Sequence, residues 1–221
     1  MPSDSAAVVE MPDKRAGAMS GAVASDPDEA PAADVATVLI VGTSLTAGLG
    51  LDPDNAYPAV LQRMADSAGY AVRVANAGLS GETSAGALRR LEWLLREPAA
   101  VVVIETGAND GLRGLDVDST RANLVAIVRE VKRTLPQASV LLVQMEAPPN
   151  LGADYTRRFR DNYATVARSE GAELLPFLLD GIAGVRGLNQ PDGIHPTREG
   201  AVLVAQNLWG SLAPHLARLA K

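Results

Sequence analysis

The sequence predicts an α/β fold: a three-layer α/β/α sandwich around a five-stranded parallel sheet, in the common order 2-1-3-4-5. Three observations lead there. From Thr37 onward, short apolar or β-branched runs alternate with longer segments of helical period, the pattern of β-α-β units. The chain of 221 residues is long enough for one ordinary domain with a sizeable core. No uncharged apolar run approaches the ~18 to 20 residues that a bilayer span requires, so stable membrane insertion is not expected.

The strands are expected at residues 37–41, 71–75, 101–106, 140–145 and 173–175, each rich in Val, Leu or Ile or placed between turn signals. Between them Leu88, Leu91 and Leu95, and then Leu124, Ile127, Val128, Val131 and Leu135, recur at three- and four-residue intervals, which makes those segments amphipathic helices. Helices also fit residues 57–67, 155–169 and 198–219. Trp93, Trp209, Phe159 and Phe177 fall in apolar patterns and read as core.

Residues 1–34 carry no aromatic residue and no repeating apolar face, so a disordered acidic leader or linker is expected there, with the folded domain at 35–221. This segment holds seven acidic residues against Lys14 and Arg15, a net −5 that leaves −1 for the rest of the chain's −6. A near-neutral body without a Lys/Arg cluster offers no footprint for a phosphate backbone, and nucleic acid is not expected as a partner. Nothing in the first residues reads as a secretory signal. The protein is then cytoplasmic, or periplasmic or secreted if a signal was removed ahead of residue 1.

The chain has no cysteine and two histidines, His195 and His215. Thiolate metal sites, disulfides and a cysteine nucleophile are excluded, and no metal or organic cofactor is expected. Chemistry falls to hydroxyls, carboxylates, amides and two imidazoles. In open parallel sheets the site lies beyond the carboxyl ends of the strands, and three strand ends here carry polar, glycine-rich segments.

After the first strand comes Gly42-Thr43-Ser44-Leu45-Thr46-Ala47-Gly48, which sets a serine hydroxyl in a turn loosened by glycines. This is a nucleophile position, although a glycine-rich anion loop has the same appearance. It is not the elbow of α/β-hydrolases, since Thr46 stands where that motif needs glycine. After the second strand comes Asn76-Ala77-Gly78-Leu79-Ser80-Gly81-Glu82-Thr83, and after the third Thr106-Gly107-Ala108-Asn109-Asp110-Gly111. With the first three strands adjacent, the backbone N–H of Ser44, the backbone N–H of Gly78 and the Asn109 amide are expected to converge as an oxyanion hole.

Asp192-Gly193-Ile194-His195-Pro196 supplies a general base, His195, with a carboxylate three residues ahead to orient it. The alternative is an Asp-Gly turn followed by a surface histidine. His215, near the end of the last helix, reads as a solvated residue or one satisfying the helix dipole.

These four segments, in this order, resemble the SGNH (GDSL) hydrolase superfamily, matching its serine, glycine, asparagine and histidine blocks at Ser44, Gly78, Asn109 and His195, with Asp192 as the triad acid. The resemblance covers roughly residues 38–209. Gly107-Ala108-Asn109-Asp110-Gly111-Leu112-Arg113-Gly114 and Leu174-Leu175-Pro176-Phe177, with the histidine segment, look most like the bacterial thioesterase I / lysophospholipase / arylesterase group. That resemblance implies a serine hydrolase of aryl or acyl esters and acyl thioesters, acting through an acyl-enzyme on small-molecule substrates. It also implies a mobile loop at 79–86 beside the acyl pocket, with Leu79, Ser80, Gly111 and Leu112 touching substrate. One position departs from the family: Thr43 stands where the four-letter motif has a supporting aspartate. Two other readings stay open, a carbohydrate acetyl esterase with the same catalytic residues and a flavodoxin-like module whose Gly42 to Gly48 turn cradles a phosphate or flavin. Oligomeric state is not legible.

Overall fold

A computed structural model describes residues 35–219, and the expectation for residues 1–34 falls outside them. Five strands, β1 (Ala36–Gly42), β2 (Val72–Gly78), β3 (Val101–Ile104), β4 (Ser139–Val143) and β5 (Glu173–Leu175), form one sheet. All pairs are parallel, in the order β2-β1-β3-β4-β5. The expected topology is therefore the observed one. Val38, Ile40 and Val41 of β1 and Val101 to Ile104 of β3 are buried, as central strands covered on both faces must be.

Seven α-helices are described: α1 (Ser44–Ala47), α2 (Tyr57–Ser67), α3 (Ser84–Leu94), α4 (Ala108–Leu112), α5 (Val117–Thr134), α6 (Ala153–Glu170) and α7 (Arg198–Leu219). α2 packs on α7, while α3 and α6 pack on α5, which gives the two outer layers. Helix starts follow local chemistry. The Thr83 side chain accepts from Gly86 N at 3.3 Å ahead of α3, and Asp116 Oδ1 accepts from Ser119 N at 2.7 Å ahead of α5. The two short helices α1 and α4 sit in segments that read as plain turns, because one turn of helix is too brief to show a period.

Strand β2 differs most from expectation. It runs on through Asn76-Ala77-Gly78, which look like a turn, because those residues pair in register with Ile40, Val41 and Gly42. Tertiary pairing overrides the low strand propensity of Asn and Gly. Trp93 is a second correction: it is 65% exposed, since the inward stripe of α3 is Ser84, Ala87 and Leu91 and Trp93 points off it. His215 is buried rather than solvated, with Nε2 at 2.8 Å from Glu173 Oε2 and Nδ1 bonded to Arg218.

Phe159 is fully buried, with its ring between those of Tyr155 and Tyr163. Tyr163 Oη donates to the Thr106 carbonyl at 2.9 Å, and an added Cβ on Gly107, whose φ is 98°, would meet that oxygen at 2.2 Å. Aromatic packing thus floors the turn after β3. Phe159→Ala should destabilise the fold by about 3–5 kcal/mol through the cavity it leaves. Denaturant unfolding measures this, and a loss under ~1 kcal/mol would mean that the floor collapses freely.

Candidate active site

Ser44 is the first residue of α1, directly beyond β1. Thr43 before it is extended, with φ −99° and ψ −151°, so the chain turns from strand to helix within one residue. The start of a helix leaves its first N–H groups without intrahelical partners, and the Ser44 N–H is one of them. Ser44 itself is 9% exposed, enough to be reached from one side.

From 151 residues further along the chain, His195 Nε2 lies 2.8 Å from Ser44 Oγ. On the other side of the ring, Nδ1 lies 2.6 Å from Asp192 Oδ2. Asp192 Oδ1 accepts from the backbone N–H groups of Ile194 and His195, at 2.9 and 3.0 Å. The imidazole and these amides hold the Asp192 carboxyl down from its ordinary 3.8 to about 2. Its charge is thus present throughout the neutral range. Because the folded value lies below the unfolded one, whatever Asp192 contributes to stability is lost only as pH falls from the unfolded range through about 2. An ionised carboxylate on Nδ1 selects the tautomer with the proton there, leaving Nε2 to accept from the serine hydroxyl.

Gln190 brings the histidine loop over the serine. Its Nε2 donates to the carbonyls of Leu49 and Pro196, at 2.7 and 2.9 Å, while its backbone N–H donates to the His195 carbonyl at 2.7 Å. One side chain therefore joins the chain just after α1 to the chain just after His195.

Leu79 N donates to the Gly42 carbonyl at 2.9 Å, so that amide faces β1. Successive strand N–H groups point in opposite directions, and the Gly78 N–H therefore faces the open sheet edge, where Asn76 Oδ1 takes it at 2.9 Å. Gly78 does not present its amide to the site. Its glycine is needed for another reason, since an added Cβ would lie 2.2 Å from Ala47 N of α1. Asn109, on α4, donates one amide hydrogen to the Glu82 carbonyl at 3.0 Å and keeps a second. Arg113 Nη2 donates to the Gly81 carbonyl at 2.9 Å, so the 79–83 loop is pinned to α4 twice. Among the described residues the Gly81 N–H carries no hydrogen bond.

Of the residues expected at the substrate, Leu79 and Leu112 are large exposed apolar side chains, and Ser80 is exposed beside Leu79. Gly111 is buried instead: an added Cβ would meet Phe159 at 3.1 Å and Ala147 at 3.3 Å. It packs α4 onto α6 and lies away from solvent. The crevice that Ser44 and His195 share with Leu45, Leu49, Tyr57 and Val204 holds only about 10 Å³.

Three charged residues near the strand ends went unmarked in the sequence. Arg90 of α3 grips the Glu82 carboxylate with Nη2 at 2.6 Å and Nε at 2.7 Å, and reaches the carbonyls of Ala77 and Gly42 at 2.7 and 3.3 Å. That ties the 79–83 loop to the ends of β1 and β2. Glu105, fully buried, receives Thr43 N at 2.8 Å. Thr43 Oγ1 meets it at 2.9 Å, so Thr43 takes part in the turn's bonding although it lacks a carboxylate. A single acid inside the apolar run 101–106 was the available signal for Glu105.

The profile of the GDSL-like lipase/acylhydrolase family matches residues 40–203, which contain all of this machinery. The chain belongs to that family. Among its relatives, esterase TesA of Pseudomonas aeruginosa is 43% identical over 181 residues, covering 81% of this chain and 89% of the relative. Thioesterase 1/protease 1/lysophospholipase L1 of Escherichia coli K12 is 37% identical over 186 residues, covering 84% and 86%. In solved structures, TesA superposes with a TM-score of 0.77 at 43% identity, covering 81% of this chain and 99% of its own. The psychrotrophic esterase EstA from Pseudoalteromonas gives 0.78 at 35%, covering 82% and 98%. The GDSL-like family thus shares the sheet order and helix layers found here.

Proposed function

We propose that this GDSL-family chain hydrolyses carboxylic esters and acyl thioesters through an acyl-enzyme on Ser44, with residues 35–221 as its catalytic domain. The observation that carries the reading is the run Asp192–His195–Ser44, with contacts of 2.6 and 2.8 Å. His195 Nε2 takes the hydroxyl proton as Ser44 Oγ attacks the acyl carbonyl. The same imidazole then protonates the leaving alcohol or thiol, and in the second half activates the water that releases the acid. Asp192 stabilises the imidazolium formed in between.

The tetrahedral oxyanion needs donors in place before the reaction. The Ser44 N–H and the second amide hydrogen of Asn109 fill that role, and the unbonded Gly81 N–H takes the place first expected of Gly78. The crevice beside Ser44 is too small for an acyl chain, which favours a chain lying along the exposed Leu79 and Leu112 over one enclosed in a tunnel. A phosphate- or flavin-binding module would have no use for an imidazole seated on the serine.

The test is a fluorophosphonate probe with peptide mapping, run beside a panel of aryl esters and acyl thioesters of graded chain length. The expected result is one label per chain on Ser44 and parallel loss of all hydrolysis. Labelling elsewhere, or hydrolysis that survives full labelling of Ser44, would overturn the assignment.

A further inference from the structure

Glu105 lies one residue past β3, is fully buried, and has no lysine or arginine bonded to it among the described residues. Burying a carboxylate without a cation is costly, so its partners matter. All of them lie on the segment around Ser44. Oε2 accepts from Thr43 N at 2.8 Å and from Thr46 Oγ1 at 2.7 Å, and Oε1 accepts from Thr43 Oγ1 at 2.9 Å. Thr46 Oγ1 also lies 2.6 Å from Tyr57 Oη. With its own hydrogen given to Glu105, the threonine must accept from the tyrosine. Gly42 completes the fit, since an added Cβ there would lie 2.7 Å from Oε2.

We propose that Glu105 is a positioning residue for the nucleophile: its carboxylate grips Thr43 and Thr46 on either side of Ser44 and so sets the turn from which the serine reaches His195. The proposal rests on reading Ser44 as the nucleophile. Thr43, where the four-letter motif has an acid, supplies a hydroxyl and an amide to a carboxylate one residue past the neighbouring strand.

The grip uses acceptor sites on both oxygens; a proton on Oε2 would displace one of its two donors, and a proton on Oε1 would remove the charge that strengthens all three bonds. Burial pushes the Glu105 acid up from its ordinary 4.5 to about 7. Two titratable side chains sense its charge, Tyr57 on α2 and Tyr163 on α6, both raised chiefly by burial and further by Glu105. β1 and α1 present only backbone and threonine hydroxyls to it. Because the folded value lies above the unfolded one, the contribution of Glu105 to stability is full below about 4.5 and is lost as pH rises through about 7. Activity asks for the opposite state, so stability and turnover should respond to this group with opposite signs.

The experiment compares wild type and Glu105→Gln as full chains from about pH 5 to 9, following ester turnover, the rate of fluorophosphonate labelling at Ser44 and the melting temperature. Deprotonation of Glu105 adds a step to the wild type's acid limb, which should therefore be steeper than the variant's. The variant's plateau kcat and labelling rate should fall at least about tenfold, with KM changed less than about threefold, as expected of a displaced nucleophile. Its melting temperature should decline less as pH rises through neutrality. If Glu105→Gln does not fold, Thr43→Val, which removes only the hydroxyl, should slow labelling, and Thr43→Ser should recover most of that loss. A wild-type plateau in Glu105→Gln, equal acid limbs in the two proteins, or a wild-type labelling rate in Thr43→Val would overturn the proposal while leaving Ser44 as nucleophile. Labelling that persists in Ser44→Ala would instead overturn the nucleophile.

Discussion

Ser44→Ala and His195→Ala should each lower kcat by roughly 10⁴- to 10⁶-fold, and the double variant should be hardly slower than either alone. The expectation follows from the 2.8 Å contact between Oγ and Nε2, which makes the two side chains one device: the hydroxyl is a poor nucleophile without its base, and the base has nothing to activate without the hydroxyl. What remains after either loss comes from the oxyanion donors and substrate binding, which neither substitution removes. Steady-state kinetics on an aryl ester, with melting temperatures to confirm folding, measure the losses. Multiplicative losses in the double variant would show two groups acting independently and would break the proposed coupling. Retention of more than about one per cent of activity in Ser44→Ala would remove the serine from the mechanism.

Asn109→Ala should lower kcat by about 10²- to 10³-fold with little change in KM, because an oxyanion donor binds charge that exists only in the transition state. Asn109 also ties the 79–83 loop through the Glu82 carbonyl, so a loss could come from the loop moving. Arg113 separates the two causes. It pins the same loop through the carbonyl of Gly81, 2.9 Å away, and does not itself donate to the oxyanion. Arg113→Ala should cost much less than Asn109→Ala if donation to the oxyanion is what matters. Equal losses in the two variants, or a loss under about tenfold for Asn109→Ala, would make Asn109 a structural tie.

The family relation strengthens the chemical reading at one level and leaves another to the chain itself. Relatives 43% and 37% identical, which carry the names esterase and thioesterase, place the fold and the class of reaction. Under the proposed reading, acyl-chain preference would be set by exposed side chains such as Leu79 and Leu112. The graded panel addresses that separately from the nucleophile.

The sequence by itself determined most strands and the long helices, pointed to the common sheet order, and singled out Ser44, Asp192 and His195 as candidates for the chemistry. A strand buried on both faces must be apolar throughout, and an amphipathic helix must repeat every three or four residues, so β1, β3, α5 and their neighbours are written in local pattern. Serine after one strand and histidine after an aspartate are likewise local signals. Tertiary structure decided what depends on register and direction. Gly78 lies in a segment composed like a turn, yet pairing with Gly42 draws it into β2 and turns its N–H to the open edge. Gly111 is expected at the substrate from its place in the motif, and instead packs against Phe159. Trp93 has the composition of core and lies outside the buried stripe of its helix. Glu105 and Gln190 matter through partners about 60 and 140 residues away, Thr43 and Leu49. Residue type and spacing record which surface must be hidden. The aim of an amide, or the partner of a buried carboxylate, is settled only when distant segments pack together, because a hydrogen bond depends on direction as well as on composition.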